Sequence, residues 1–365
     1  MAEGGIRRSQ LKTGSDPIFS TLYRNHSQAS RNNVERASLE VCNIMTRLGY
    51  GEIRRRRSEK AREFAMSTNI RANEFTTITS GYKAEGLSCI FESDLDTLIV
   101  MKRILCVEAG TDLETIPCDT HVFIMRTREY PGHCRLIHER QPSRVNEVIY
   151  NALCDDKNGD TLLSSALFLH EFSSDRVKRP GVINYEVAGP STPHSTLGLF
   201  FFDEVVALCC HCPSILNVWA TRSRHWPSPS IVQKVESLGA YVTPIGFKGS
   251  EYKHLEWRIC FNAGETEIVN NLNETQAKVY VMLKMILNDV LKPNNKETSY
   301  VLKNIIFWQA ERNPQTLFTA RSLLYWLHDG LRELQTVIAQ KQLSYNMIPE
   351  RNLIASCSMD DALHG

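Results

Sequence analysis

A chain of 365 residues with 42% hydrophobic and 23% charged residues is long enough for a full core and for two lobes. Its formal net charge of +1 excludes a global basic field for nucleic acid and leaves only local patches. No apolar run approaches the roughly 18 residues of a membrane span, so no membrane association is expected, and the opening MAEGGIRRSQ lacks the apolar core of a secretory signal. The 11 cysteines are scattered without a framework, many inside apolar runs such as those of Cys42, Cys89 and Cys260. They read as reduced thiols of a cytoplasmic protein.

Residues 1–28 are polar with weak periodicity and are expected to form a mobile tail. From Asn33, Val34, Ala37, Val41, Met45 and Leu48 fall on one helical stripe, with Gly49 as a C-terminal cap. The run Arg54, Arg55, Arg56, Arg57, followed by Lys60 and Arg62, is interspersed with Glu52, Glu59 and Glu63. It reads either as a solvated helix face or as a surface for a nucleic-acid backbone. No aromatic residue interleaves it, which disfavours single-strand stacking; a duplex bound through its backbone needs none.

The stretch TTITSGYKAEGLSCIFESDLDTLIVM, residues 76–101, combines turn chemistry at Ser80-Gly81 and Glu85-Gly86 with Asp94 and Asp96 at the start of an apolar strand. Alternation puts both aspartates on one strand face. Two close carboxylates repel, and a divalent cation removes the conflict. A glycine turn just upstream lets backbone N–H groups approach a phosphate. The competing reading is an ordinary solvated Asp-x-Asp.

Strand-like runs follow at Thr120–Met125 and His133–Ile137, then a more polar region over 141–180. The apolar run Leu197–Cys210 contains Asp203, a carboxylate that is expensive to bury unless paired or bound to metal. That makes it the natural third ligand for Asp94 and Asp96. Cys209-Cys210-His211-Cys212 invites a zinc reading, but neighbours in one short run cannot all reach a single tetrahedral ion. A helix is expected over Ile231–Leu238, strands at Tyr241–Ile245 and Leu255–Phe261, and further helices at Thr275–Leu291, Tyr300–Trp308 and Leu317–Ile338. The last 17 residues are polar and expected to be disordered.

The pattern Gly81-x-x-x-Glu85-Gly86, Ser93-Asp94-x-Asp96 and Asp203-x-Val205-x-Ala207-Leu208 resembles the nucleotidyltransferase core of the male-abnormal (Mab)-like family, which includes cyclic GMP–AMP synthase and its animal receptor relatives. Arg224-His225-Trp226-Pro227-Ser228, Val242–Lys248, Leu255–Phe261, Gln276-x-Lys278-x-Tyr280-x-x-Leu283-Lys284 and Ser299-Tyr300-x-x-Lys303 follow in that family's order, and the resemblance spans roughly residues 30–340. It implies a bilobal α/β (α+β) fold. A core lobe over 29–214 would hold a twisted mixed sheet with a long helix along its back. A helical lobe would follow over 215–345, and a polar tail over 346–365.

The resemblance implies metal-dependent joining of two ATP- or GTP-type nucleoside triphosphates into a cyclic dinucleotide in innate immune signalling. Asp94, Asp96 and Asp203 match the family's ligands for Mg2+ or Mn2+. Ser80, Gly81 and Tyr82 fall at its phosphate turn. Arg258 matches a base-contacting arginine, Lys284 and Ser299 match phosphate-holding residues, and Tyr300 matches a base-stacking aromatic. Lys248 and Glu265 match further pocket positions. Three departures stand out. Tyr82 follows Gly81 where the family has Ser. Cys260 and Asn262 stand where cyclic GMP–AMP synthase has serines. The stretch from Asn262 to Ala277 carries no Cys or His, so no zinc module is expected. The last departure makes double-stranded RNA the expected ligand of the Arg54–Arg57, Lys60 and Arg62 face, on a monomer or a ligand-induced dimer. A catalytically inactive scaffold and a constitutive RNA-binding module are the alternatives.

Overall fold

The computed structural model describes residues 28–51, 53–67, 74–87, 94–127, 130–143, 146–156, 159–174, 181–187, 189–290 and 296–355. The expected tail over 1–28 lies outside them but for its last residue, Gln28. In place of one long helix along the back of the sheet there are two helices, α1 (Gln28–Arg47), which packs on the later helices, and α2 (Ile53–Ser67), which packs on the first strand, with the chain turning at Gly49. Then come β1 (Phe75–Thr79), a single helical turn α3 (Gly81–Ala84), and the long β2 (Leu95–Glu108). Next are β3 (His121–Arg126), β4 (His133–Arg140), α4 (Glu147–Asn151), the short β5 (Leu153–Asp155) and β6 (Thr161–Leu163), and α5 (Ser165–Ser174). The sheet is completed by β7 (Val182–Asn184), β8 (Ser191–Thr196), β9 (Phe200–His211), β10 (Ala240–Thr243) and β11 (Glu256–Cys260). Between β9 and β10 lie α6 (Pro213–Ala220) and α7 (Pro229–Leu238), each with proline in its first turn, where no N–H is needed. The rest is helical: α8 (Asn262–Asn270), α9 (Glu274–Val290), α10 (Lys296–Arg312) and α11 (Leu323–Gln340).

The sheet is mixed and has two tiers that share β2 and β9. These two strands run parallel, with Leu95–Met101 beside Phe202–Leu208 and Leu105–Val107 beside Cys209–His211. Their first halves are flanked by antiparallel β1 and β8, and β7 forms the edge. Their second halves enter a closed circuit of pairings through β3, β4, β11 and β10. Residues 102–104 of β2 bulge out of the ladder where the register shifts. Central strands covered on both sides read as nearly continuous apolar runs, which is why Val206, Ala207 and Leu208 are all buried.

One core cluster joins the sheet to the helices. It holds Phe123, Leu136 and Trp257 from the strands, and Tyr280, Leu283, Ile305 and Trp326 from α9, α10 and α11. It crosses the line between residues 214 and 215 drawn from the sequence. Along α11, Leu323, Trp326, Leu327, Gly330, Leu334 and Val337 form one buried stripe at helical spacing. The segment expected to be a polar tail is packed over its first ten residues, 346–355. Met347, Ile348 and Ile354 are buried, and Asn346 accepts from Trp219 Nε1 at 3.1 Å and donates to Glu311 at 2.9 Å. Polar composition misled there because the asparagines are satisfied inside the protein. Residues 356–365 lie outside the described residues. No helix of the described residues is long and apolar enough to cross a membrane.

Candidate active site

Asp96 and Asp203 are direct partners in the β2–β9 ladder. The residues just before them, Leu95 and Phe202, are also partners and pack on Phe64 of α2 and on Phe200. Side chains alternate along a strand, so this apolar contact turns both aspartates to the opposite face. Asp94 is exposed and immediately precedes β2.

The turn between β1 and β2 closes over Asp96. Ser80 N–H donates to the Asp96 carbonyl at 2.9 Å. Gly81 has φ +69, and a Cβ there would fall inside van der Waals contact with Asp96 Oδ2. Glycine is required on both counts. Five residues on, Gly86 (φ +67) lies just as close to the Arg54 carbonyl of α2, which fixes the far end of the turn. Between them Lys83 is buried. Burial lowers its pKa, while the charges of Asp94 and Asp96 act to hold it up. The side chain of Tyr82 lies outside the described residues.

From these acids a chain of buried charge leads into the helical part. Burial lowers the Lys284 ammonium on α9 to about 8, against the pull of Glu85 and Asp96 and with the push of Lys303. Glu85 is fully buried, which raises its carboxyl pKa, and it forms an ion pair with Lys303 of α10. Burial opposes the charge of Lys303, but Glu85 and Glu265 together raise it to about 12. Glu265 of α8 lies 3.6 Å from Lys303 Nζ and accepts from Tyr300 Oη at 2.7 Å and Tyr345 Oη at 2.8 Å. Arg258 on β11 completes the series. Burial works against its charge, and Cys260, Tyr300 and Tyr345 around it raise its pKa overall.

The expected site residues therefore divide. Asp96, Asp203, Ser80, Gly81 and Lys284 converge on the first turn of the chain after β1. Glu265 and Tyr300 are joined by their own hydrogen bond within the buried seam, and Arg258 borders it. Lys248 is exposed in the turn between β10 and β11, a turn tied down by the buried Glu256 carboxylate, which accepts from Phe247 N–H at 2.9 Å. Ser299 lies on α10 with its side chain outside the described residues. Among the described residues no group of three or more His, Cys, Asp or Glu side chains is gathered to hold a metal ion. The backbone sets Asp96 and Asp203 side by side, while Lys83 and Lys284 supply the nearby positive charge. Lys83, Glu85 and Lys303 were not expected as site residues. Their signal was the close spacing Gly81-x-Lys83-x-Glu85 and the Lys303 that ends the Ser299-Tyr300 motif.

The arginine run needs a correction. Arg54 is buried, and its guanidinium donates to the carbonyls of Val269 at 2.8 Å and of Asn270 and Leu272 at 3.3 Å. It binds carbonyls at the corner between α8 and α9, so its charge is turned inward and does not face a nucleic acid. Arg57 donates to the Gly49 carbonyl at 3.3 Å at the end of α1. Arg56, Lys60 and Arg62 are exposed, and the Arg55 side chain lies outside the described residues.

The family model of the Mab-21 protein HhH/H2TH-like domain matches residues 275–364. The chain is similar to Mab-21 proteins over this C-terminal part, about a quarter of its length. No curated protein matches the chain.

Proposed function

We propose that the chain is a metal-dependent nucleotidyltransferase that joins two nucleoside triphosphates, of ATP and GTP type, into a cyclic dinucleotide. The observation that carries this reading is the pairing of Asp96 with Asp203 beside the Gly81 turn. The donor set suits Mg2+ or Mn2+, which take hard carboxylate oxygens. Asp94, Asp96 and Asp203 would hold the ions, which when bound would supply Lewis acidity toward a ribose hydroxyl and toward the departing pyrophosphate. The chain's own residues position the reactants. Gly81 lets the turn lie against the Asp96 carboxylate, and Lys284 is an ammonium set between the acids and the helical part. The Glu85–Lys303–Glu265 seam holds α3, α8 and α10 in register, and Arg258 stands at its far end for a base edge.

Activation by double-stranded RNA on the exposed face of Arg56, Lys60 and Arg62, in a cytoplasmic innate immune role, completes the reading. It is supported by that face and by the family resemblance. The test is to incubate the full chain with labelled ATP and GTP, manganese and duplex RNA. A cyclic dinucleotide should form, and Asp96→Asn with Asp203→Asn should abolish it while the fold survives. A second reading, a catalytically silent member acting as a scaffold, is favoured by the lysines that already balance the acids. Nucleotide binding with no product under any duplex would select it.

A further inference from the structure

Away from the acids, a cleft of about 1030 Å³ opens at the bulge of β2. None of Asp94, Asp96 or Asp203 lines it; its walls come from β1, the bulge, the chain before β3, α4 and α5. Its inner wall is apolar, with Phe75 and Phe172 edge to face at 6.1 Å. Among the described residues its rim carries Glu74, Asp119, Glu147 and Glu171 against Lys102 and Arg103, and so leans acidic. Arg103, in the left-handed region at φ 61, lies 3.6 Å from Asp119, so that pair is balanced. Glu171 accepts from Asn151 Nδ2 at 3.0 Å and lies 3.4 Å from His170 Nδ1, contacts that hold its carboxyl below the usual range. Glu74 and Glu147 form no ion pair among the described residues. On the lining, His121 is buried with both ring nitrogens unpaired among the described residues. Burial, then the neighbouring His138, lowers its pKa to about 4, so it adds no positive charge.

We propose that this cleft binds a small organic cation with a flat apolar body, of the aromatic amidine or amine class. The ring packs on Phe75 and Phe172, and the charged end meets Glu147 and Glu171 at the rim. An anion of the same shape meets like charge at Glu147 and Glu171 and should bind more weakly there. The site stands apart from the proposed catalytic reading and does not depend on it.

Benzamidine and benzoate share a ring and differ in charge, which makes them the probes. Their binding to the full chain is followed by ligand-observed NMR. Benzamidine should bind at least roughly tenfold more tightly than benzoate. Glu147→Lys, at an exposed position, should weaken benzamidine about tenfold and reverse the preference. Ser143→Trp, also exposed and on the lining, should weaken both. Asp96→Asn should leave benzamidine binding unchanged. No binding, equal binding of the two probes, indifference to both cleft variants, or loss in Asp96→Asn would each overturn the proposal.

Discussion

The carboxylate of Asp96 occupies the space that a Cβ on Gly81 would need. Gly81 opens the turn after β1, Asp96 sits near the start of β2, and Ser80 N–H already binds the Asp96 carbonyl. Gly81→Ala should therefore push Asp96 out of line with Asp203 as well as strain a left-handed backbone position. A stability loss of about 1–3 kcal/mol is expected. Manganese binding, followed by paramagnetic resonance, should fall further than it does for Gly159→Ala, where φ is also positive but the surroundings are open. Equal effects of the two variants would mean that backbone strain alone accounts for the loss.

Lys284 gives the site a pH dependence. Its folded-state pKa is lowered from 10.5 to about 8 by burial. The free protein therefore loses this positive charge as pH rises through about 8, while an unfolded chain keeps it to 10.5. Fold stability gains across that window, because the unfolded state binds the extra proton. Triphosphate binding should move the other way and weaken above about pH 8. Lys284→Arg, which stays charged, should flatten the profile. Nucleotide titrations at pH 7 and pH 9 on both proteins check this, and an unchanged wild-type affinity would remove Lys284 from the phosphate site.

Lys303 joins two buried carboxylates, Glu85 and Glu265. Lys303→Met leaves both unbalanced and should destabilise the fold by about 3–5 kcal/mol in urea unfolding. Adding Glu85→Gln should recover part of that loss, because one of the stranded charges is then removed. A double variant no more stable than the single one would show that the pair acts through packing.

The arginine run should divide in two. Arg54→Met removes three hydrogen bonds at the corner between α8 and α9 and should lower stability by about 2–4 kcal/mol. Arg56→Glu with Lys60→Glu, four residues apart on an exposed face, should leave stability within about 0.5 kcal/mol. The pair should weaken duplex RNA binding for every sequence alike and flatten its salt dependence, by about 0.7–0.9 in log–log slope for each lost contact. Duplex binding unaffected by the double reversal would make this face a solvated one.

The acids were legible because composition alone makes them odd. Asp203 stands in an apolar run that a strand must bury, and Asp94-x-Asp96 opens another. The pairing of Asp96 with Asp203 was not legible, since register between strands more than a hundred residues apart leaves no local trace. Arg54 looked like its three neighbours because a charge run carries no mark of which member a helix turns inward. That choice is made by the corner between α8 and α9. The seam of Glu85, Lys303 and Glu265 was hidden for the same reason: each charge is ordinary on its own helix, and only packing places them together. α9 was read closely, expected at Thr275–Leu291 and found at Glu274–Val290, since its apolar stripe recurs over several turns, whereas the shorter α6 and α8 were not expected.

The shared strands β2 and β9 work as a pair of cantilevers. Their second halves are built into the closed circuit of β3, β4, β11 and β10, while their first halves project and carry Asp96 and Asp203 near the tips. A load applied at the tips is borne by the clamped root, so the spacing of the acids is damped. Amide hydrogen exchange should trace that stiffness as a gradient, slowest at Cys106 and Cys210 and faster toward Leu95 and Phe202.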